Sequence, residues 1–273
     1  MRLVSFDALR TLGLPGVSYI KPEHMFAERA AIAAADWVLF PAYWQLGALA
    51  FGLKARLFPS LGSYLLGHDK VEMTRAFGMV APRHLPHTLI EPNTPERAQW
   101  VWEQLPLPFV AKLPRSSQGE GVFLIRDRDD WRDYLQHSPV IYAQEYLPID
   151  RDLRVVLVGD RILTHYWRVQ TDGGFHNNLA RGGALQRGPA PAAALDLVLE
   201  LATRLGIDHA GFDIAMVNGH PYVLEFNRLF GNQGLAGDTC ELAGAILDYL
   251  RRCGGREGPE QPDGRPPLLP VAV

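Results

Sequence analysis

The sequence predicts a small α/β unit followed by a larger α+β body. Three observations carry this expectation. Within residues 1–65 a short apolar strand, an Ala-rich helical stretch and a second apolar strand alternate, the order of an α/β unit. Beyond them, strand pairs joined by tight turns, around Gly159-Asp160 and within 211–227, belong to hairpins. From Gly254 the chain turns to Gly, Pro and charge, a composition that cannot bury a core. The expected divisions are 1–65 for the α/β unit, 66–253 for the body and 254–273 for a disordered tail.

The elements follow in order. Leu3–Phe6 is a strand, Pro22–Ala35 a helix rich in Ala, Glu and Arg, and Trp37–Pro41 a buried strand. Gly67–Phe77 is a helix entered through His68-Asp69, with Lys70 in its first turn. Asn93 or Thr94 caps the helix of TPERAQWVWEQL, where Pro95 takes the first position. Pro108–Lys112 and Gly121–Arg126 are strands around a small-residue loop, and Asp129–Gln136 is a short helix. Val140–Tyr146 is a strand; Leu153–Val158 and Arg161–Arg168 pair as a hairpin. Ala192–Leu205 is a long helix closed by Gly206, and Leu242–Arg252 is the last helix. No internal repeat is visible.

Composition narrows the function. The 273 residues are 47% hydrophobic and 21% charged, with a net charge of −3, ordinary for a globular chain. That charge gives no electrostatic case for nucleic acid or an acidic membrane. Two cysteines are too few for a disulfide framework. The apolar stretch Ala30–Leu53 is broken by Asp36, Pro41, Gln45 and Gly47 and does not read as a span, and no secretory signal opens the chain. A cytoplasmic protein without nucleic-acid or membrane partners is expected. His84 and His87 have a metal-like spacing, but the prolines around them break any helix that would present them together.

The segment GFDIAMVNGHPYVLEFN, 211–227, carries the most chemistry. Side chains alternate along a strand. Phe212, Ile214 and Met216 therefore share one face with Tyr222, Leu224 and Phe226, leaving Asp213, Glu225 and Asn227 on the other. Pairing Phe212 with Phe226 also pairs Asp213 with Glu225. Both pairs sum to an even number, so the hairpin needs an odd loop or a bulge. Asn218-Gly219 by itself signals a two-residue turn, which would separate the two acids. The apolar pattern takes precedence, because a one-residue slip would turn that face to water. Two carboxylates and an amide oxygen on one face suit a hard divalent cation such as Mg²⁺; an ordinary solvated hairpin face also carries such residues.

Three further constellations precede or flank it. In FVAKLPRSSQGEGVFLI, 109–125, a strand delivers Lys112 to a loop of Ser116, Ser117, Gln118, Gly119 and Gly121. Lysine offers a point charge to phosphate and small residues let backbone N–H groups approach an anion. It is not a Walker loop, since a strand follows, and a mobile hairpin loop reads the same way. In 140–162, backbone groups near Glu145, Tyr146 and Leu147 can read an adenine, and Asp152 suits a ribose; Arg151, Asp152 and Arg154 equally fit a surface charge cluster. In RVQTDGGFHNNLARGGAL, Arg168 and Arg181 can grip carboxylate or phosphate, and Asn178 can coordinate or hydrogen-bond phosphate.

Taken in order, Lys70, Lys112 with its glycine loop, QEYL, DLRVVLVGD, F-x-x-NLARGG and GFDI…VLEFN resemble the ATP-grasp superfamily. The closest likeness is to RimK-type carboxylate–amine ligases, with glutathione synthetases further off. It runs from about Asp69 to about Gly234. The resemblance implies an ATP-grasp fold, two α+β lobes clamping ATP, behind the small N-terminal unit. It implies an ADP-forming ligase acting through an acyl phosphate, with ATP and two Mg²⁺, or Mn²⁺, as cofactors. Lys70 and Lys112 match lysines on ATP phosphates, and Ser116–Gly121 the flap above them. Glu145, Tyr146 and Leu147 match the adenine hinge, and Asp152 a contact near the ribose. Arg168 and Asn178, with Lys112, match the groups that face the reacting phosphates; Asp213, Glu225 and Asn227 match the metal ligands. The partners implied are acid and amine substrates, small molecules or peptides, and the family allows a homo-oligomer. A kinase on the same scaffold and a non-catalytic ATP-binding module are the competing readings. The chain departs from the pattern after Asn227: Arg228-Leu229-Phe230-Gly231 replaces the usual x-x-Pro-Gly, and Glu120 stands in the flap where an apolar residue is common.

Overall fold

The computed structural model describes residues 1–116, 121–169, 184–230 and 239–254, with the side chains of 239 and 240 left aside. Three sheets organise it. The first is parallel, built from β1 (Leu3–Ser5), β2 (Val17–Tyr19), β3 (Trp37–Leu39) and β4 (Leu57–Phe58) in the order β2-β1-β3-β4. Every residue of β1 and β3 is buried, as short apolar runs in a covered parallel sheet require. The expected helix Pro22–Ala35 is broken into a 3₁₀ turn at Pro22–His24 and a short α1, Arg29–Ala33. Only Ile32 of α1 is buried, so little packing supports a longer helix. Strands β2 and β4 were not expected; at three and two residues they are too short to leave a periodic signal.

The elbow between the N-terminal unit and the body consists of α2 (Leu61–Leu66) and α3 (Lys70–Val80). The single helix expected over Gly67–Phe77 starts three residues later, because Gly67 closes α2 and Asp69 caps α3 by accepting from the Val71 amide at 2.9 Å. The second sheet holds β5 (Thr88–Pro92), β6 (Phe109–Lys112), β7 (Val122–Ile125) and β8 (Val140–Glu145), antiparallel in the order β5-β8-β6-β7. Helices α4 (Pro95–Gln104) and α5 (Arg128–Leu135) cover it through Ala98, Val101, Trp131 and Tyr134.

The third sheet is antiparallel: β9 (Arg151–Val158), β10 (Arg161–Val169), β11 (Ala184–Gln186), β12 (His209–Val217) and β13 (His220–Asn227), in the order β11-β10-β9-β12-β13. On one face, α3 and α6 (Ala192–Leu205) bury Phe212, Ile214 and Phe226 with Met73, Phe77, Leu197 and Leu201. On the other, α7 (Thr239–Gly254) and the first sheet cover Val156, Val158 and Tyr166 with Leu3, Phe58, Ile246 and Leu250. Its central strand β9 is buried at every position but Arg151. Among the described residues no helix is long and apolar enough to cross a membrane.

The β12–β13 hairpin satisfies both of its conflicting signals. Phe212 pairs with Phe226 and Asp213 with Glu225, as the binary pattern requires. The turn is nonetheless the two-residue Asn218-Gly219, with φ of 50° and 79°, the left-handed pair of a type I′ turn. A bulge between Asp213 and Ile214 on one side, at Leu224 on the other, absorbs the difference. The cost falls on the expected apolar face. Val223, not Leu224, enters the core opposite Ile214, and Tyr222 shifts to the face of Ala215 and Asp213.

Candidate functional site

Cross-strand register lines up a ladder of charge. Tyr166, Arg154, Asp213 and Glu225 occupy one row across β10, β9, β12 and β13, and Arg168 stands opposite Asp152 in the next. Side chains two apart share a face, so Asp152, Arg154, Arg168, Asp213, Glu225 and Asn227 all emerge on the side away from α3 and α6. Opposite charges meet across β10, β9 and β12, while Asp213 and Glu225 set two like charges side by side. Arg168 grips Asp152 with both carboxylate oxygens, Nε to Oδ1 at 2.8 Å and Nη2 to Oδ2, and its Nη2 also reaches Asp213 Oδ2 at 2.9 Å. Arg154 approaches Asp213 with Nε at 2.5 Å from Oδ1 and Nη2 at 3.2 Å from Oδ2. All four are at most 8% exposed.

This burial corrects one alternative left open above: Asp152 and Arg154 are not a surface cluster. Only Arg151 is exposed, laid over the Trp167 ring at 4.3 Å. Burial pushes the Asp152 carboxyl up, to about 6, against the pull of Arg168. Both its oxygens go to Arg168, so its place in the structure is beneath the arginine, holding it.

Two lysines complete the charge from other elements. Lys70, in the first turn of α3, donates to Ser116 O at 2.7 Å and lies 3.5 Å from Glu225 Oε2. Lys112, at the end of β6, donates to Gln144 Oε1 at 2.8 Å. Gln144 in turn is held through Thr88 Oγ1 at 2.8 Å, and Tyr142 beside it meets Thr74 of α3 at 2.8 Å. This polar chain ties the second sheet to the elbow. Burial drives the Lys112 pKa down to about 8; Lys70 lowers it further while Glu225 and Asp213 pull it back. Burial acts to raise the Glu225 pKa, but Lys70 and Lys112 overcome it and hold the carboxyl below its usual range. Its side chain is 27% exposed, and Asn227 Nδ2 donates to its Oε1 at 3.3 Å.

The remaining expected site residues divide between described and undescribed segments. Ser116 Oγ donates to Leu113 O at 3.3 Å, and Gly121 closes the same neck by accepting from Leu113 N at 2.8 Å. A Cβ on Gly121 would lie 2.3 Å from Ser116 Oγ and 2.9 Å from Leu113 Cβ, so the neck requires glycine. Ser117, Gln118 and Gly119, and likewise Asn178 and Arg181, lie outside the described residues. Glu145 spends its amide on His87 O at 2.9 Å and its carboxylate on the His87 amide at 2.6 Å. Tyr146 is exposed and Leu147 half-buried just past β8. Two residues of the site, Arg154 in the ladder and Gln144 beside Lys112, were not expected in it. Arg154 could have been found from its alternation with Asp152, and Gln144 from its polar place in the otherwise apolar run Ile141–Ala143.

The donor set of Asp213, Glu225 and Asn227 is all oxygen, the chemistry of Mg²⁺. Among the described residues no group of three or more His, Cys, Asp or Glu gathers as a metal centre; the set here is two carboxylates and an amide. Asp213 Oδ1 is buried and meets only the Arg154 ion pair, with no hydrogen bond of its own, and Glu225 is reachable from solvent. These oxygens fit a hard cation, and Lys70, Lys112 and Arg168 stand around them.

Comparison with known proteins places this geometry. Residues 78–250 match the RimK-like ATP-grasp domain family. The probable alpha-L-glutamate ligase of Enterobacter sp. strain 638 is 30% identical over 215 residues, spanning 72% of this chain and 70% of the relative. The ribosomal protein bS6–L-glutamate ligase of Escherichia coli O1:K1 / APEC is 29% identical over 215 residues, again 72% of this chain and 70% of the relative. In three dimensions the RimK-domain ATP-grasp protein of Sphaerobacter thermophilus superposes with a TM-score of 0.67 at 17% identity, covering 91% of this chain and 99% of that one.

Proposed function

This chain belongs to the RimK-like ATP-grasp family, ATP-dependent ligases that join a carboxylate to an amine, and from that premise we propose how its residues divide the work. The observation that carries the assignment is the meeting of Lys70, Lys112 and Arg168 around the Asp213–Glu225 pair. The three cations bind the phosphates of ATP, and Lys112 and Arg168 face the transferred one. Asp213, Glu225 and Asn227 would hold Mg²⁺, two ions by family analogy. When bound, the metal offsets charge on the phosphate oxygens.

The chemistry follows from what the cations can stabilise. A substrate carboxylate oxygen attacks the γ-phosphorus and ADP leaves. Charge building on the transferred group is met by Lys112 and Arg168, held in place beforehand by Gln144 and Asp152. The amine nitrogen then attacks the acyl carbon, inorganic phosphate leaves and the nitrogen gives up a proton. Ser116, where the expected flap begins, accepts from Lys70 at 2.7 Å, and a flap that excludes water there would protect an acyl phosphate. Tyr146 and Leu147 form the adenine side, since Glu145 is already engaged with His87. The relatives' names point to an amino acid, L-glutamate, as the amine, and to a protein as one class of acid.

Pairwise screening of acids and amines for phosphate release from Mg-ATP tests this. Release should require both partners. Release with a hydroxyl acceptor and no amine would instead identify a kinase, and tight ATP binding without release under any pairing would identify a non-catalytic module.

A further inference from the structure

Arg228 has a chemistry that the nucleotide site leaves unused. It follows Asn227 directly and is 8% exposed. Its guanidinium carbon lies 4.0 Å from the Tyr64 ring centroid and 5.1 Å from that of Tyr43, both from the N-terminal side. Its Nε is buried without a hydrogen-bond partner, and its guanidinium makes no ion pair among the described residues. Aromatic faces offset part of a cation's desolvation but do not satisfy its N–H donors. The groups around it are fixed: the Tyr64 hydroxyl donates to Pro41 O at 2.6 Å, and the Arg228 carbonyl is bonded to His209 Nδ1 at 2.7 Å. Gly67, at the elbow, lets the arginine pass: a Cβ there would stand 3.2 Å from Arg228 Cβ and 2.6 Å from Ser63 O.

A second cation stands nearby. Arg10 has one long ion pair, Nε to Asp7 Oδ2 at 3.6 Å. Partial burial lowers its pKa, Asp7 acts against that, and the charge of Arg228 lowers it further. Arg10 also lines a cavity of about 440 Å³ with Asp7, Phe40, His209 and Phe230. Burial holds His209 neutral, its pKa pushed down to about 3. Arg10 lines the cavity and Arg228 does not, but the two are close enough to repel; a buried arginine with an idle donor, next to a cavity-lining arginine, describes a place for an anion.

We propose that Arg228, seconded by Arg10, receives a carboxylate of the amine-bearing substrate that takes no part in the reaction. Lys70, Lys112 and Arg168 are committed to the phosphates. A second acid group one residue beyond Asn227 would anchor the other substrate with its amine turned toward the acyl phosphate. This rests on the reading that the enzyme adds an amino acid.

The test uses the full chain with Mg-ADP bound. L-glutamate, L-glutamine and L-glutamate α-amide are titrated calorimetrically into wild type, Arg228→Leu, Arg228→Lys and Arg10→Ala. Loss of a buried charge-assisted contact predicts about 10- to 100-fold weaker binding of the amide that lacks the contacted carboxylate. Which amide weakens tells the α-acid from the side-chain acid. Arg228→Leu should weaken glutamate by the same factor and erase its preference, Arg228→Lys should restore part of it, and Arg10→Ala should cost about threefold or more. Arg10 is on the surface, so its variant carries the test should Arg228→Leu melt early. Equal binding of glutamate and both amides by wild type, absence of binding by all three, or glutamate binding unchanged in both the Arg228→Lys and Arg10→Ala variants would overturn the proposal. Turnover is scored separately. Glutamate binding as predicted with no amine-dependent ADP release sinks the ligase reading and leaves the carboxylate site standing.

Discussion

Lys112 is the residue whose chemistry is most exposed to pH. It is 7% exposed and its ammonium is bonded to a neutral amide, so burial outweighs the pull of Glu225 and sets its pKa near 8. A lysine so lowered is charged below about 8 and neutral above it. Phosphate prefers the charged form, so the KM for ATP should rise about tenfold per pH unit once the pH passes that value. Lys112→Ala should raise the KM already at pH 7 and flatten the profile between 7 and 9; a parallel rise in variant and wild type would assign the pH dependence elsewhere. Asp152 makes the complementary case. Its oxygens hold Arg168 in a buried pair, and removing one partner of such a pair costs about 3–5 kcal/mol. Asp152→Asn should therefore lower both melting temperature and kcat, while a direct ribose contact would raise the KM for ATP and leave stability near wild type.

Among elements, the β12–β13 hairpin shows what a sequence can and cannot disclose. Apolar alternation specified the pairing of Asp213 with Glu225 correctly. It could not place the bulge, because Val223 and Leu224 are both apolar and either can face the core. Packing against Ile214 and Phe226 chooses Val223. The long helix Ala192–Leu205 was legible to the residue, since its apolar stripe and Gly206 cap agree. The Ala-rich stretch after Pro22 was not, because composition without packing does not sustain a helix. In the site, the individual acids and lysines were readable one at a time. The pairing of Arg154 with Asp213 needed the register of β9 against β12, which no local pattern encodes. The turn gives a prediction at this scale. Asn218 has φ of 50°, a region that a β-branched residue enters at about 1–2 kcal/mol. Asn218→Val should lower the unfolding free energy by about that amount and leave the KM for ATP unchanged; an altered KM would couple the turn to the site.

Over the whole molecule, the N-terminal unit is seated on the third sheet by contacts that leave little slack. Asp208 accepts from the Ser60 amide at 2.7 Å and the Ser63 hydroxyl at 3.2 Å. Phe40 and Phe58 pack edge-on against His209, and Phe230 stacks on it at 4.7 Å. Gly62 approaches the end of α6 so closely that a Cβ would stand 2.4 Å from Leu205 O. Gly62→Ala should therefore loosen the seating, lowering the melting temperature and weakening the amine substrate more than ATP; equal loss for both would show that the unit supports the nucleotide site as well. The elbow that begins in this seat delivers Lys70 to Glu225, at the centre of the proposed nucleotide site. Glu225→Gln addresses that claim most directly, because it keeps the shape and removes the charge. Mg-dependent ADP release in the presence of acid and amine should fall by two orders of magnitude or more, about the loss of a charged contact in the transition state, with an unchanged melting profile. Release at the wild-type rate from the folded variant would contradict the account.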